Sequence, residues 1–350
     1  MNAEELIAAI VAAPDDDEPW LVYTDWLLDR GDPRGELMSL QAAVDAEDPA
    51  AIWRLRELEN DEDRLLSPRL LAQTRYWRFE WKRGFIGVAE LRAEAGPPTR
   101  ECLEALFAEP HAALIDSLTL DALKLAPEHD RHRRLELGDC NDGLARMSRL
   151  ATLTLNDVVL TSLSHERMTR LSSTPLACPA LSTGDFSLPS LVDLHLRAAL
   201  PDLDQPRSIL RRPPSTLTTL SLEGATAQTI AQLAELEVAR QLTALFVDAG
   251  TFAAIAALRD HAARFESIQT VGFGYIDDQA DETAVAALRA DLDRLLPGRT
   301  IYASWENFAP QEPFVEAYEP LPEHRVDEQS RRPDGQIDAI GAWVQRAPKP

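Results

Sequence analysis

Cysteine is scarce in this chain, and no long apolar run is present. Cys102, Cys140 and Cys178 are the three cysteines among 350 residues. An odd number of widely spaced cysteines indicates reduced thiols rather than a disulfide framework or a zinc site. No stretch approaches the roughly 20 apolar residues that a membrane-spanning helix needs. Because Glu4 and Glu5 precede the first short apolar run, a secretory signal is not expected. We therefore expect a cytoplasmic protein without a metal centre or a membrane anchor.

Positive charge is also in short supply, with 35 Lys and Arg residues against 58 Asp and Glu residues and a net charge of -23. Nucleic-acid backbones demand a basic surface, so non-specific nucleic-acid binding is not expected. An acidic surface instead favours basic patches on partner proteins. Hydrophobic residues make up 45% of the chain, which excludes wholesale disorder and allows two folded units at this length.

One basic island interrupts the acidic chain over residues 75–83, where aromatic and cationic side chains alternate. Aromatic rings between cations can bind single-stranded nucleic acid, which remains an alternative for this segment. However, Trp77, Phe79 and Trp81 recur with the period of two that is typical of a strand with one buried face. The alternation therefore favours structural packing.

Apolar residues at helical spacing predict four helices near the N-terminus, over residues 4–13, 19–29, 36–46 and 49–66. The run Asp15-Asp16-Asp17 is expected to cap the second helix, because carboxylate oxygens satisfy free amides at a helix start. The last helix is expected to carry one buried stripe of Ile52, Leu55, Leu58 and Leu65. Residues 77–91 are predicted to be strand with a break at Gly84.

The segment from Asp15 to Gln41 reads DDDEPWLVYTDWLLDRGDPRGELMSLQ. It resembles the N-terminal signature of the bacterial repeat-companion domain, a small module that precedes repeat arrays, often leucine-rich ones. The resemblance extends more loosely through residues 65–68 and 83–85 and implies a mainly helical companion domain over residues 1–92. It implies no activity. The matching residues are Asp16, Asp17, Pro19, Leu21, Val22, Tyr23, Asp25, Trp26, Leu27 and the run from Arg30 to Glu36.

The turn in this segment is rich in carboxylates, which could be read as a metal or catalytic site. Arginines lie among the carboxylates, and paired guanidinium groups would leave them unavailable to a metal. We therefore expect a structural ion-pair cluster with no metal; a partner surface or a catalytic site remains the alternative. The expected cluster comprises Asp25, Arg30, Asp32, Arg34 and Glu36.

A pattern L-x-x-L-x-L recurs from about residue 114, with central apolar positions at 118, 135, 153, 194, 220, 245 and 271. The last three steps are 26, 25 and 26 residues, within the range of leucine-rich repeats. The copy at Arg134–Leu137 is degenerate. The interval between Leu153 and Leu194 is long enough to contain one irregular repeat, around residues 171–181.

Apolar residues at helical spacing predict helices between the later strands, over residues 226–238, 251–265 and 282–296. Alternating strands and helices predict an α/β fold, a leucine-rich-repeat solenoid over residues 93–304 with a last strand at 300–304. Residues 305–350 form a Pro-rich, acidic tail, of which only residues 305–314 are expected to cap the array.

Because side chains alternate along a strand, the residues between the leucines are predicted to project from one exposed face. Its central column is expected to contain Thr119, Glu136 and Gly272 besides four of the residues below. Phe246 is the one large aromatic on this face, so we interpret it as a binding anchor; the alternative is that it only covers its neighbours. The predicted partner-binding residues are Thr154, Asp193, His195, Arg197, Ser221, Glu223, Phe246 and Asp248.

These features predict a non-catalytic scaffold that binds another protein, one whose surface could be basic, and that uses no cofactor. His195 and Ser221 lie on neighbouring strands, but an open sheet face offers no preorganised oxyanion hole. Two alternatives remain open. One is a regulatory subunit that sequesters a basic DNA-binding regulator or a protease-controlled effector. The other is an enzyme of unknown type that uses the carboxylates of residues 25–36.

Overall fold

The computed structural model describes residues 2–45, 48–91, 100–121, 135–156, 158–173, 178–197, 206–248, 252–273, 287, 290, 294 and 300–303. All the described residues lie within one compact unit, Met1–Phe308. The predictions for the tail, residues 305–350, lie outside the described residues. The helix predicted over 282–296 lies outside them except at three positions.

Helices occur in the N-terminal segment, residues 2–91, and between strands along the rest of the described chain. The described residues form twelve α-helices, which are α1 (Ala3–Ala12), α2 (Asp17–Leu28), α3 (Pro33–Asp45), α4 (Pro49–Glu59), α5 (Glu62–Leu65), α6 (Pro68–Leu71), α7 (Arg100–Phe107), α8 (Asn141–Arg146), α9 (Ala180–Thr183), α10 (Ala227–Ala234), α11 (Val238–Gln241) and α12 (Phe252–Asp260).

The strands form one large sheet and two small ones. The described strands are β1 (Trp77–Lys82), β2 (Phe85–Leu91), β3 (Ser117–Asp121), β4 (Leu135–Gly138), β5 (Thr152–Asn156), β6 (Val158–Leu160), β7 (Leu163–Ser164), β8 (Arg170–Ser173), β9 (Phe186–Ser187), β10 (Asp193–Leu196), β11 (Thr219–Glu223), β12 (Ala244–Asp248), β13 (Thr270–Phe273) and β14 (Thr300–Ala303). The large sheet has ten strands in the order β1-β2-β3-β5-β8-β10-β11-β12-β13-β14, and β4-β6 and β7-β9 are separate pairs. The fold is therefore mixed α/β. Among the described strands of the large sheet, only β1 and β2 pair in the antiparallel direction.

One face of the parallel sheet is buried as a ladder of aligned apolar residues. Leu194, Leu220, Leu245 and Val271 lie opposite one another on successive strands and are fully buried. The predicted adjacency and single ladder of these four residues are confirmed. A second row follows two residues later on each strand, and its one polar member, Ser173, is also buried. Burial of these leucines is the main favourable contribution to folding of this region.

The N-terminal helices begin at or slightly before their predicted starts. The largest difference is at α3, which begins at Pro33 rather than at residue 36. Asn2 and Glu5 form a capping box at the start of α1, each side chain bonded to the other residue's amide. Asp16 caps α2 by accepting a hydrogen bond from the Glu18 amide at 3.0 Å. The buried faces of α1 and α2 meet Phe85 of β2, whose ring stacks on Tyr23 at a centroid separation of 5.5 Å.

The single helix predicted over residues 49–66 is wrong, because the helix breaks at Asn60 and Asp61. The Asn60 side chain donates to the Arg56 carbonyl, a local bond that ends α4. Leu58 and Leu65 are buried as predicted, whereas Ile52 is 37% exposed. The proposed stripe therefore does not extend along the whole segment.

The degenerate copy at Arg134–Leu137 is not part of the large sheet, which corrects the predicted column position of Glu136. β3 and β5 are hydrogen-bonded directly to each other, so no place remains between them for β4. β4 pairs instead with β6, where Leu137 is buried. In contrast, the irregular repeat expected around residue 171 is present, since β8 lies between β5 and β10.

The large sheet and its core continue across residue 92, where the sequence suggests a domain boundary. β2 of the N-terminal segment pairs in parallel with β3, which places Ala89 opposite Leu118. Trp77 and Leu91 belong to the same hydrophobic cluster as Leu118 and Val271. The antiparallel hairpin of β1 and β2 thus forms one edge of the large sheet.

Candidate functional site

The outward residues of the large sheet align in one continuous row, which we call the central column. Strand register places Thr154 beside Ser172, Ser172 beside His195, His195 beside Ser221 and Ser221 beside Phe246. Each of these five side chains is half-buried. Four of them are predicted partner-binding residues. Ser172 was missed because its strand has only one leucine of the repeat pattern.

The other predicted residues flank this column. Asp193 lies two residues before His195 and beside Arg170 of β8. On the opposite flank, Arg197 follows β10 and donates from Nη1 to Oδ1 of the buried Asn156 at 3.1 Å. Glu223 and Asp248 are opposite one another at the ends of β11 and β12. The backbone of Asp248 is described, but its side chain lies outside the described part.

The Phe246 side chain is half-buried and packs against the neighbouring strand. Its ring lies over Gly272 of the next strand, so closely that a Cβ atom at position 272 would collide with the ring. Gly272 is buried, whereas Phe246 keeps part of its surface exposed. The aromatic side chain therefore covers its neighbour and also presents an apolar edge within a polar column.

Two buried polar atoms beside the central column have no hydrogen-bond partner among the described residues. They are Oδ1 of Asp193 and Nε of Arg197. Asp193 has an ion pair of 3.9 Å with Arg170, and burial raises the pKa of its carboxyl group despite that charge. A buried polar atom without a hydrogen-bond partner costs free energy. A ligand that supplied hydrogen-bond partners to these two atoms would therefore bind more tightly.

His195 has a serine and a carboxylate near it among the described residues. Oγ of Ser172 lies 3.5 Å from Nδ1 of His195, longer than the separation typical of a nucleophile and its base. The nearest carboxylate on the same strand, Asp193, is paired with Arg170. These contacts are those of a polar surface.

A second polar centre lies in the N-terminal segment, at the turn between α2 and α3. Arg34 binds both oxygens of Asp32, from Nε at 2.8 Å and from Nη2 at 2.6 Å. Nη1 of Arg34 lies 2.6 Å from Nδ1 of His111, and the Tyr23 hydroxyl lies 2.7 Å from Nε2 of the same ring. We call these four residues the Arg34 network. His111 was missed because it lies 77 positions from Arg34, and no local pattern marks it.

The predicted five-residue ion-pair cluster is divided in the structure. Glu36 pairs with Arg54 of α4 at 2.7 Å rather than with Arg34. Arg30 lies over the Trp26 ring, 3.8 Å from its centre, and donates to the Trp26 carbonyl. Asp25 is exposed and has no ion pair with a described residue. Helical periodicity explains the correction, because neighbours along the turn project toward different helices.

The Arg34 network shifts the pKa values of its members. Burial, followed by the charge of Arg34, lowers the pKa of His111 to about 3, so the ring is neutral. Burial raises the pKa of Tyr23 to about 12, a rise that the Arg34 charge opposes. Burial alone would raise the pKa of Asp32, but the hydrogen bonds and charge of Arg34 lower it overall. A neutral His111 is consistent with Nδ1 accepting a hydrogen bond from Arg34.

The basic island is used for packing. Trp77 is buried, and Phe79 and Trp81 pack against the core. Arg78 pairs with Glu90 of β2 at 3.8 Å, and Arg83 pairs with Asp17 at 2.9 Å. The rings are therefore directed at the protein interior rather than at a nucleic-acid stacking surface.

Within the described ranges, no group of three or more His, Cys, Asp or Glu side chains is placed to hold a metal ion. Cys102, Cys140 and Cys178 are buried thiols that form no disulfide. No helix among those described is both long and apolar enough to cross a membrane.

Comparisons with known proteins give only weak structural likeness. The chain matches no family model and no curated protein. A crystal structure of a Bacteroides fragilis protein is similar over 60% of this chain, with 16% sequence identity and a TM-score of 0.44. The similarity covers 61% of that protein's length. Likeness at this level supports no argument about function.

Proposed function

We propose that this protein is a non-catalytic interaction scaffold that binds a partner protein on the outward face of its ten-stranded sheet. Strand register is the observation that supports this function best. It aligns Thr154, His195, Ser221 and Phe246 in the central column, although they lie far apart in sequence. Long aligned surfaces of this kind are suited to extended protein partners.

We also propose a more specific architecture for the two parts of the chain. We infer a leucine-rich-repeat solenoid that follows a repeat-companion domain in a cytoplasmic protein. The parallel strands β10 to β13 in sequence order, with α10 and α12 between the later ones, support the repeat interpretation. The helical N-terminal segment and its antiparallel hairpin support the companion interpretation.

The enzyme alternative gains no support from the carboxylates of residues 25–36. Asp32 is bound through both oxygens by Arg34, while Glu36 is bound by Arg54 of a different helix. Paired carboxylates that act as acid and base need to converge on one reacting group. These two are instead engaged by separate arginines.

A capture experiment tests the sheet face. A partner would first be captured from native lysate, and Ser221→Arg would then be compared with wild type for its retention. Because Ser221 is in the middle of the central column, a long charged side chain there should lower the affinity at least about tenfold. The control is Gln228→Arg, which adds the same charge at an exposed position of α10. Equal retention by the two variants would contradict the proposal, provided that both unfold at the wild-type temperature.

A further inference from the structure

The large apolar side chains that are most exposed are not on the sheet face. Five of the six such residues among the described ones lie on α2 and α4, and one immediately precedes β10. Large apolar side chains that are exposed together on one element can mark an interaction site. The six residues and their exposures are Leu21 65%, Val22 40%, Leu28 46%, Ile52 37%, Trp53 76% and Val192 40%.

The outer face of α2 combines three of these residues with three exposed carboxylates. We call this set, Glu18, Leu21, Val22, Asp25, Leu28 and Asp29, the α2 stripe. At 100° per residue the six positions fall within a sector of about 120°, and Leu21 and Leu28 are about 10 Å apart along the axis. The carboxylates lie between the two leucines on one edge and the valine on the other.

The opposite face of α2 anchors the helix in the protein. Trp20, Tyr23 and Leu27 are buried in a cluster with residues of α1 and with Phe85. The α2 stripe is therefore a second, outward face on a helix that is already held in place. Substitutions on the stripe should consequently change binding more than folding.

The charge of the stripe is not neutralised by the described arginines nearest to it in sequence. Arg30 lies over the Trp26 ring, and Arg83 pairs with Asp17. Within the described residues Glu18, Asp25 and Asp29 form no ion pair. An apolar strip with unpaired acidic groups is complementary to a surface that carries both apolar and basic side chains.

We propose that the α2 stripe docks a basic amphipathic helix of a partner protein. Charge disfavours the other occupants. A second copy of this chain has a net charge of -23, and residues 305–350 contain nine acidic against five basic residues. An anionic membrane surface would also be repelled. A single-helix contact is small, so weak and salt-sensitive binding is expected.

A labelled model peptide tests the proposal with the full chain. The probe is a helical peptide of about 18 residues, with leucines at i, i+3, i+4 and i+7 and lysines elsewhere. Its fluorescence anisotropy is titrated with wild type, with Asp25→Lys/Asp29→Lys and with Leu21→Ala/Leu28→Ala. Each double variant should weaken binding at least about tenfold. Lysine at position 29 faces the negative end of α2, so it should not destabilise the helix.

Val22→Ala and Val192→Ala are the matched pair, because both valines are 40% exposed and undergo the same substitution. Only Val22→Ala should weaken peptide binding. A peptide with glutamate in place of lysine should not bind. Equal binding by the two valine variants, or undiminished binding by Asp25→Lys/Asp29→Lys, would reduce the interaction to general charge attraction and overturn the proposal. Ser221→Arg should leave peptide binding unchanged, so this test and that of the sheet face can fail separately.

Discussion

The two polar centres of this protein differ in how their groups are satisfied. In the Arg34 network, a guanidinium group, a carboxylate, a neutral imidazole and a phenol bind one another where α2, α3 and the segment before β3 meet. Beside the central column, Oδ1 of Asp193 and Nε of Arg197 have no partner among the described residues. Polar groups that satisfy one another stabilise a fold, whereas unsatisfied ones retain the capacity to bind. We therefore interpret the first centre as structural and propose the second as the candidate for recognition.

Leu220→Asp should cause the largest loss of stability. It compares the buried face of the sheet with the outward face that carries the central column. Leu220 is fully buried, so the substitution places an unpaired charge in the core and should cost more than about 4 kcal/mol of unfolding free energy. Denaturant unfolding measures the loss. The adjacent Ser221→Asp, whose side chain is half-buried on the outward face, should cost far less. Similar losses in both variants would contradict the assigned faces.

Arg34→Met tests the structural role of the Arg34 network. The change leaves Asp32 and His111 without their donor in a largely buried site, so we expect a loss of about 2–3 kcal/mol in unfolding free energy. Arg54→Met is the control, because it removes the exposed pairs with Glu36 and Glu57 and should change stability little. An Arg34→Met variant as stable as wild type would show that the network contributes nothing.

Lowering the pH should reduce the free energy of unfolding through His111 of the Arg34 network. The pKa of His111 is lowered from 6.5 to about 3, so below pH 6.5 the unfolded chain binds a proton that the folded chain does not. This contribution to stability is complete above pH 6.5 and is lost as the pH falls toward 3, by at most about 1.4 kcal/mol per pH unit. Unfolding free energies between pH 7 and 4.5 would be compared for wild type and His111→Gln. The variant should show the shallower decline, and identical slopes would contradict the assignment.

Phe246→Ala should give the smallest change in stability and tests the recognition side of the comparison. Because the ring covers Gly272 but keeps exposed surface, we expect a folding loss of about 1 kcal/mol and a loss of about 1–2 kcal/mol in partner affinity. Titration of the captured partner measures the second value. Gly272→Ala, which displaces the ring without removing it, should weaken binding in the same direction. Unchanged affinity in both would leave Phe246 as a covering residue only.

Much of the sheet was predictable because its pattern is local and repeated. Leucines at every second position, recurring at intervals near 25 residues, predicted the alignment of Leu194, Leu220, Leu245 and Val271, which strand register confirms. The same alternation predicted which side chains face outward. It failed for Glu136, because a single degenerate copy cannot indicate whether its strand joins the large sheet or pairs elsewhere.

The strand periodicity, the Asp16 cap of α2 and the outward residues of the central column could be predicted from local sequence, since each depends on neighbours within a few positions. The pairing of charges, in contrast, became clear only once the elements were packed together. Arg34 binds His111, Glu36 binds Arg54, and Phe246 lies over Gly272, contacts between residues 18 to 77 positions apart. Side-chain pairing depends on the packing of helices and strands against one another, and that packing is encoded in no single segment of the chain.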